Sequence, residues 1–135
     1  HPGISSMQLA AALGGAPMMN DFCSISLSDK LTPWESIEKR IAGALLGDFV
    51  IVIFNPQSLE RDWQLKRAIK LCLEYRPGNT PVMIGRQVGR VNQTKSFYSL
   101  DSMPLKDIDM LSIIIIGNSK TTLVDEIFST PRGYL

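Results

Sequence analysis

The amino-acid sequence predicts one α/β domain, residues 1–135, with a mixed, mainly parallel sheet flanked by helices. Three observations predict it. Residues 49–54 (FVIVIF) are apolar without interruption, as expected of a strand covered on both faces in a parallel sheet. Amphipathic helical stretches stand on either side of that run, and a further short strand at 81–85 follows the second. Strand, helix and strand thus occur in the order a right-handed crossover requires. The 135-residue length and 44% hydrophobic content suffice for the core of one domain.

Taken in order, residues 2–13 are dense enough in small and apolar side chains for a helix, with Ser5 or Ser6 as its cap and Gly14-Gly15 as its stop. Residues 22–27 alternate Phe22, Ser24 and Ser26 against Cys23, Ile25 and Leu27, a weak two-residue period that predicts a strand. Thr32-Pro33-Trp34-Glu35 predicts a helix start in which the Thr32 hydroxyl caps and Glu35 completes a capping box. Trp34, Ile37, Ile41, Ala44 and Leu45 then share one helical face. After the central strand, Asn55-Pro56-Gln57-Ser58 turns into a helix over 59–75, with Trp63, Ala68, Ile69 and Cys72 near one face. Pro77-Gly78-Asn79 stops it. Residues 93–100 predict a further strand, and 111–116 form the most hydrophobic run. Residues 121–128 suit either a hairpin partner or a short helix.

A formal net charge of +1 gives no global basic field, so nucleic acid is not an expected partner and any anion site must be local. The apolar runs are far shorter than the roughly 20 residues that cross a bilayer, and no charged-then-apolar leader opens the chain, so the sequence predicts a soluble, cytoplasmic protein without a membrane partner. Cys23 and Cys72 lack CxxC spacing and are expected to be free, buried thiols. His1 is given no role. The aspartates, Asp29 and Asp48 among them, show no spacing of a metal site, and no metal is expected.

Ligands of open α/β sheets bind at the carboxyl ends of strands, and several loops there carry chemistry. Residues 54–58 place an Asn and a Ser before a helix, which a plain helix entry explains equally well. Gly117-Asn118-Ser119-Lys120-Thr121 lacks the first glycine and the spacing of a phosphate loop. The segment 85–90 (GRQVGR) offers Arg86 and Arg90 on a mobile loop suited to carboxylates, or merely a solvated basic loop. Lys66, Arg67 and Lys70 are a wet helix face. With no histidine beyond His1, no G-x-S-x-G elbow and no partner for the serines of 24–28, hydrolase and protease chemistry is disfavoured and no catalytic residue is identified.

Read together, Pro2-Gly3-Ile4-Ser5, Gly15-Ala16-Pro17, Ser26-Leu27-Ser28-Asp29, Thr32-Pro33-Trp34, Phe54-Asn55-Pro56-Gln57-Ser58, Ile116-Gly117-Asn118-Ser119 and the closing Thr130-Pro131-Arg132-Gly133-Tyr134 form an ordered set across the whole chain. This set resembles the second domain of the tetrapyrrole methylases, nearest the members that methylate C17 of precorrin-3B. The resemblance implies a carboxy-terminal domain whose glycine-rich amino-terminal partner domain is absent from this chain. It also implies S-adenosylmethionine held between the two domains, with S-adenosylhomocysteine as product, and a homodimer. The expected activity is methyl transfer to precorrin-3B or its cobalt form with ring contraction, in cobalamin biosynthesis; the fragment alone is expected to be inactive. By the same resemblance Phe54, Asn55, Met110, Leu111, Thr130 and Pro131 are expected at the cofactor, although the family commonly has tyrosine where Phe54 stands, and Met83 and Gly85 also depart from its pattern. Arg86, Arg90 and Lys30 are candidate partners for the carboxylates of the substrate. The rival expectation is a stand-alone ligand-binding or dimerisation module without catalysis.

Overall fold

A computed structural model describes residues 3–133; His1, Pro2 of the expected first helix and Tyr134 of the closing motif lie outside the described residues. The first helix, α1 (Ser6–Gly14), is capped by Ser5, whose Oγ accepts from the Gln8 N–H at 3.3 Å while Gln8 Oε1 accepts from the Ser5 N–H. Gly15 ends it at φ +134°, where a Cβ would lie 2.8 Å from the Phe128 carbonyl oxygen. Only glycine meets both demands.

The main sheet contains β2 (Phe22–Ser26), β3 (Val50–Phe54), β4 (Pro81–Arg86), β5 (Thr94–Ser99) and β6 (Ser112–Ile116), in the order β2-β3-β6-β4-β5. A second, small sheet joins β1 (Gly15–Ala16), β8 (Ile127–Ser129) and β7 (Thr122–Val124). The mixed α/β domain is therefore as expected, but a mainly parallel sheet is not: among neighbours in the main sheet only β2 and β3 pair parallel. The crossover from β3 to β4 leaves a gap one strand wide, and β6 returns antiparallel to fill it. An uninterrupted apolar run reports burial on two faces, not strand direction, which is why the sequence did not distinguish these arrangements.

Helices α2 (Trp34–Leu46) and α3 (Trp63–Tyr75) connect β2 to β3 and β3 to β4. Both crossovers advance across the sheet in one direction, so a common handedness puts both helices on one face. There Ile51, Ile116 and Val82 form one register row and Ile53, Ile114 and Ile84 another, packed against Ile37, Ile41, Leu65 and Ala68. The opposite face, with the row Val52, Ile115 and Met83, is covered by Ala10 and Ala11 of α1 and by Phe128. Each fully buried isoleucine contributes about 1.5–3 kcal/mol.

Two local expectations are corrected and one open alternative is resolved. Thr32 does not cap α2: Pro33 is the cap residue, extended at φ −58° and ψ 144°, and no side chain caps it. This moves Glu35 one place too early for a capping box. Helix α3 begins at Trp63 rather than Leu59, because residues 58 and 61 close a reciprocal backbone turn (Ser58 N–H to Arg61 O, 3.0 Å; Arg61 N–H to Ser58 O, 3.2 Å) and Leu59 is left in solvent. Trp63 is half-exposed and meets Trp34 edge-on at 5.1 Å between ring centroids. Residues 121–128 resolve as a hairpin, with Asp125 and Glu126 both at positive φ (52° and 62°) as a primed two-residue turn requires. Helix residues Lys66, Arg67 and Lys70 are exposed, as expected, and both cysteines are free, Cys72 buried and Cys23 only partly so.

Candidate functional site

Strands β2, β3 and β4 run in one direction, so their carboxyl ends open on the same side of the sheet, where β6 enters between them. A cleft occupies this side in two lobes. One, of about 600 Å³, is lined by Ser28, Lys30, Asn55, Arg61, Met110 and Leu111, with Asp109 at its edge. The other, of about 230 Å³, includes Phe54, Asn55, Val88, Arg90, Met110 and Leu111. Asn55, Met110 and Leu111 line both.

Backbone geometry here is unusual. Asn55 and Gln87 sit in the left-handed region at φ 49° and 52°, a conformation disfavoured for residues with a Cβ and held only by surrounding structure. The Asn55 side chain donates to Ser26 Oγ at 2.9 Å, tying the exit of β3 to the exit of β2. Gln57 donates to the carbonyls of Leu105 and Ile108 at 2.7 and 2.8 Å, fixing the segment that leads into Met110. Arg61, only 7% exposed, donates to Leu27 O at 3.0 Å, to Asn55 O at 2.7 Å and to Met110 Sδ at 3.4 Å.

The structure thus brings together Phe54, Asn55, Met110 and Leu111, with Lys30 at the rim of the larger lobe and Arg90 at the smaller. Arg86 is not on the mobile loop: it ends β4, and its Nε and Nη2 donate to Asp109 Oδ2 at 3.1 and 2.7 Å. The Arg86 hydrogen bond holds the Asp109 carboxyl below its ordinary range, against an opposing effect of partial burial, and the same bond raises Arg86. Asp109 Oδ1 in turn accepts from the Leu111 N–H at 3.0 Å, so the pair braces the Met110-Leu111 segment.

Thr130 and Pro131 do not join this cleft. Thr130 is fully buried, with its hydroxyl 2.7 Å from that of Thr121, whose Oγ1 accepts from the Asn118 N–H; Asn118 in turn donates to Asp48 O. Asp48 precedes β3, so this network lies at the opposite end of the sheet, about 20 Å from Asn55 at the usual rise per strand residue.

Arg61 and Gln57 are the site residues that motif reading missed. A signal for Arg61 existed: it stands four, seven and eleven residues before Leu65, Ala68 and Cys72, a charge in line with the apolar stripe of the helix it precedes.

Several known proteins share this sequence and shape. The chain is 45% identical over 98% of its length to a probable cobalt-factor III C(17)-methyltransferase of Salmonella typhimurium, covering 55% of that protein. It is 44% identical over 98% of its length to a cobalt-factor III methyltransferase of Priestia megaterium, covering 25% of it. A precorrin-3B C(17)-methyltransferase of Sinorhizobium sp is 39% identical over 98% of this chain, which covers 54% of that relative. This chain therefore spans about half or less of the length of these curated relatives. The crystal structure of the methyltransferase CobJ superposes with a TM-score of 0.91 at 36% identity, over 96% of this chain and 54% of that one. That of the cobalt precorrin-4 methyltransferase CbiF, at 20% identity and a TM-score of 0.64 over 86% of this chain and 50% of that one, shares the fold. Residues 1–103 match the family model of the tetrapyrrole (corrin/porphyrin) methylases, and the chain belongs to that family.

Proposed function

We propose that this chain is the carboxy-terminal domain of an S-adenosylmethionine-dependent methyltransferase that methylates C17 of precorrin-3B or its cobalt-containing counterpart, with ring contraction, in cobalamin biosynthesis. The observation that carries this reading is the cleft at the carboxyl ends of β2, β3 and β4, which gathers Phe54 and Asn55 from the exit of β3 and Met110 and Leu111 from the segment before β6. The names of the relatives supply the substrate class.

The lining suits an adenosyl ligand. Apolar surface from Met110 and Leu111 stands beside the polar Asn55 and Ser58, in a volume of the size that holds small molecules. Phe54, Asn55, Met110 and Leu111 would hold the cofactor, which when bound supplies an electrophilic methyl group activated by its sulfonium. The protein's part is positioning and exclusion of water, because an in-line displacement needs no nucleophilic side chain from the enzyme. Lys30 and Arg90 present exposed cations at the rim, suited to the substrate's carboxylates. Arg86 would reach a substrate carboxylate only by exchanging it for Asp109. Thr130 and Pro131, remote from the cleft, would serve the cofactor only through the fold they secure.

In this reading an amino-terminal domain closes the cleft, and the assembled protein is a cytoplasmic homodimer. Among the described residues no helix is long and apolar enough to cross a membrane. The test is methyl transfer by the full natural gene product, with precorrin-3B and cobalt-factor III offered separately. Formation of S-adenosylhomocysteine together with a singly methylated, ring-contracted product is the expected result. A folded protein that turns over neither substrate sinks the reading, and light scattering on the same preparation checks the dimer.

A further inference from the structure

We infer that Arg61 is a positioning residue of this site, whose guanidinium sets the Asn55 peptide and the Met110 side chain and through them the shape of the cofactor wall. The inference rests on the methyltransferase reading. It begins from an oddity of burial: Arg61 is 93% removed from solvent, yet forms no ion pair among the described residues. A buried guanidinium without a carboxylate is costly to keep, and here its partners are two residues of the cleft wall, Asn55 and Met110, and the carbonyl of Leu27, which adjoins the wall residue Ser28.

The geometry shows what that charge holds. β2 and β3 lie side by side in parallel register, Ser26 opposite Phe54, and the chain leaves both at the floor of the cleft. One planar fork reaches the carbonyl just beyond each strand, Leu27 O and Asn55 O. A lysine ammonium cannot reproduce a fixed fork spanning two strand exits. The Asn55 carbonyl belongs to the residue strained at φ 49°, so the bond from Arg61 secures a peptide orientation that the backbone alone disfavours. The third contact, to Met110 Sδ, is weak in energy, but Met110 is half-exposed and lines both lobes, so seating it fixes the boundary between them. Arg61 itself lines only the larger lobe and acts through these two neighbours.

A control comes from the other end of β3. Arg76 is also buried, and its guanidinium donates to Phe49 O and Gly117 O at the other end of β3, away from the cleft. The experiment compares Arg61→Lys and Arg76→Lys in the full natural gene product, by calorimetric titration with S-adenosylhomocysteine, steady-state kinetics and thermal melting. Arg61→Lys is expected to weaken binding about tenfold, as loss of one or two charge-assisted hydrogen bonds would, and to raise KM for S-adenosylmethionine with kcat changed less than about threefold. Arg76→Lys is expected to lower the melting temperature while binding with wild-type affinity. A folded Arg61→Lys protein that binds as tightly as wild type overturns the inference. If that variant does not melt cooperatively, Arg61→Gln, which can keep one carbonyl bond, is held to the same criterion. Failure of the wild type to bind S-adenosylhomocysteine takes down the methyltransferase reading and the inference with it, whereas wild-type binding with an unaffected variant takes down the inference alone.

Discussion

The two ends of β3 are built with the same device and serve different ends. At the amino end, Arg76 holds the carbonyls of Phe49 and Gly117, and Asp48, Asn118, Thr121 and Thr130 bond in a chain beside a pocket of about 370 Å³. At the carboxyl end, Arg61 likewise holds two carbonyls, beside the larger cavity of about 600 Å³, where Met110 and Leu111 stay partly exposed and Lys30 faces solvent. The carbonyls that the two arginines hold are satisfied, as burial demands. What separates the two ends is therefore the size of the cavity and the Met110-Leu111 surface beside Lys30, not the presence of a buried charge.

The comparison breaks most visibly on the amino-end clamp. Arg76→Met leaves two carbonyls without their donor and is expected to cost about 3 kcal/mol of stability, seen as a large fall in the denaturant midpoint. Some relief offsets this, because Arg76 Nε is itself buried without an acceptor among the described residues, and burial already holds the guanidinium below its usual range against the opposing pull of Cys72 and Asp48. A midpoint within error of wild type would mean that the amino end is held by something other than this arginine.

A second probe of the amino end is pH. Burial pushes the Cys72 thiol up to about 11, from 9.0, with Arg76 pulling weakly the other way. The folded state thus favours the protonated thiol more than the unfolded chain does. Its contribution is complete below pH 9 and disappears as the pH rises from 9 towards 11, a loss of about 2–3 kcal/mol at 1.36 kcal/mol per unit. Cys23, less buried, is raised in the same direction. The difference in unfolding free energy between wild type and Cys72→Ala, followed from pH 8 to 11, isolates Cys72. A difference independent of pH would refute the assignment.

These two buried arginines also mark how far the sequence could be read. The strands at 22–26, 50–54, 81–86 and 112–116 and the amphipathic faces of α2 and α3 follow from hydrophobic periodicity, because burial on one or two faces leaves its period in the chain. Sheet order was not legible, since β6, with four consecutive isoleucines, reads as apolar as β3 and only tertiary packing decides that it enters antiparallel between β3 and β4. The hairpin turn was ambiguous because Asp125-Glu126 lacks the glycine that usually marks positive φ. Phe54, Asn55, Met110 and Leu111 were found through resemblance, and the fold brings them to one cleft. Thr130 and Pro131 came from the same resemblance, yet the fold puts them towards the amino end of β3. Arg61 and Arg76 bracket the apolar stripe of α3 in line with it, one before Leu65 and one after Cys72; a charge in register with a buried face was the available clue to both clamps.

At the open end the expected effects shift from stability to affinity. Met110→Ala removes a half-exposed side chain that lines both lobes. It should change stability by less than about 0.5 kcal/mol while weakening S-adenosylhomocysteine binding about tenfold, through lost apolar contact. Calorimetric titration beside a denaturant melt separates the two quantities. Equal losses in both would make Met110 part of the core rather than of the wall.

The smallest effect sharpens the role of Arg86. Its bond to Asp109 depresses the carboxyl, so the pair's contribution is present above the ordinary aspartate range and is lost as the pH falls through the lowered value. Both side chains are substantially exposed, at 39% and 44%, and screening keeps such pairs weak. Asp109→Asn should therefore lower the melting temperature at pH 6 by only about 1–3 °C, and the difference should shrink as the pH falls through the lowered value. The same variant frees the Arg86 guanidinium beside the cleft. If Arg86 is a partner for substrate carboxylates held back by Asp109, its release should lower KM for the tetrapyrrole; if it is a brace for the Met110-Leu111 segment, KM for S-adenosylmethionine should rise while that for the tetrapyrrole stays put. The geometry favours the brace, because Asp109 Oδ1 accepts from the Leu111 N–H while Oδ2 is held by Arg86, so one carboxylate couples the arginine to the wall.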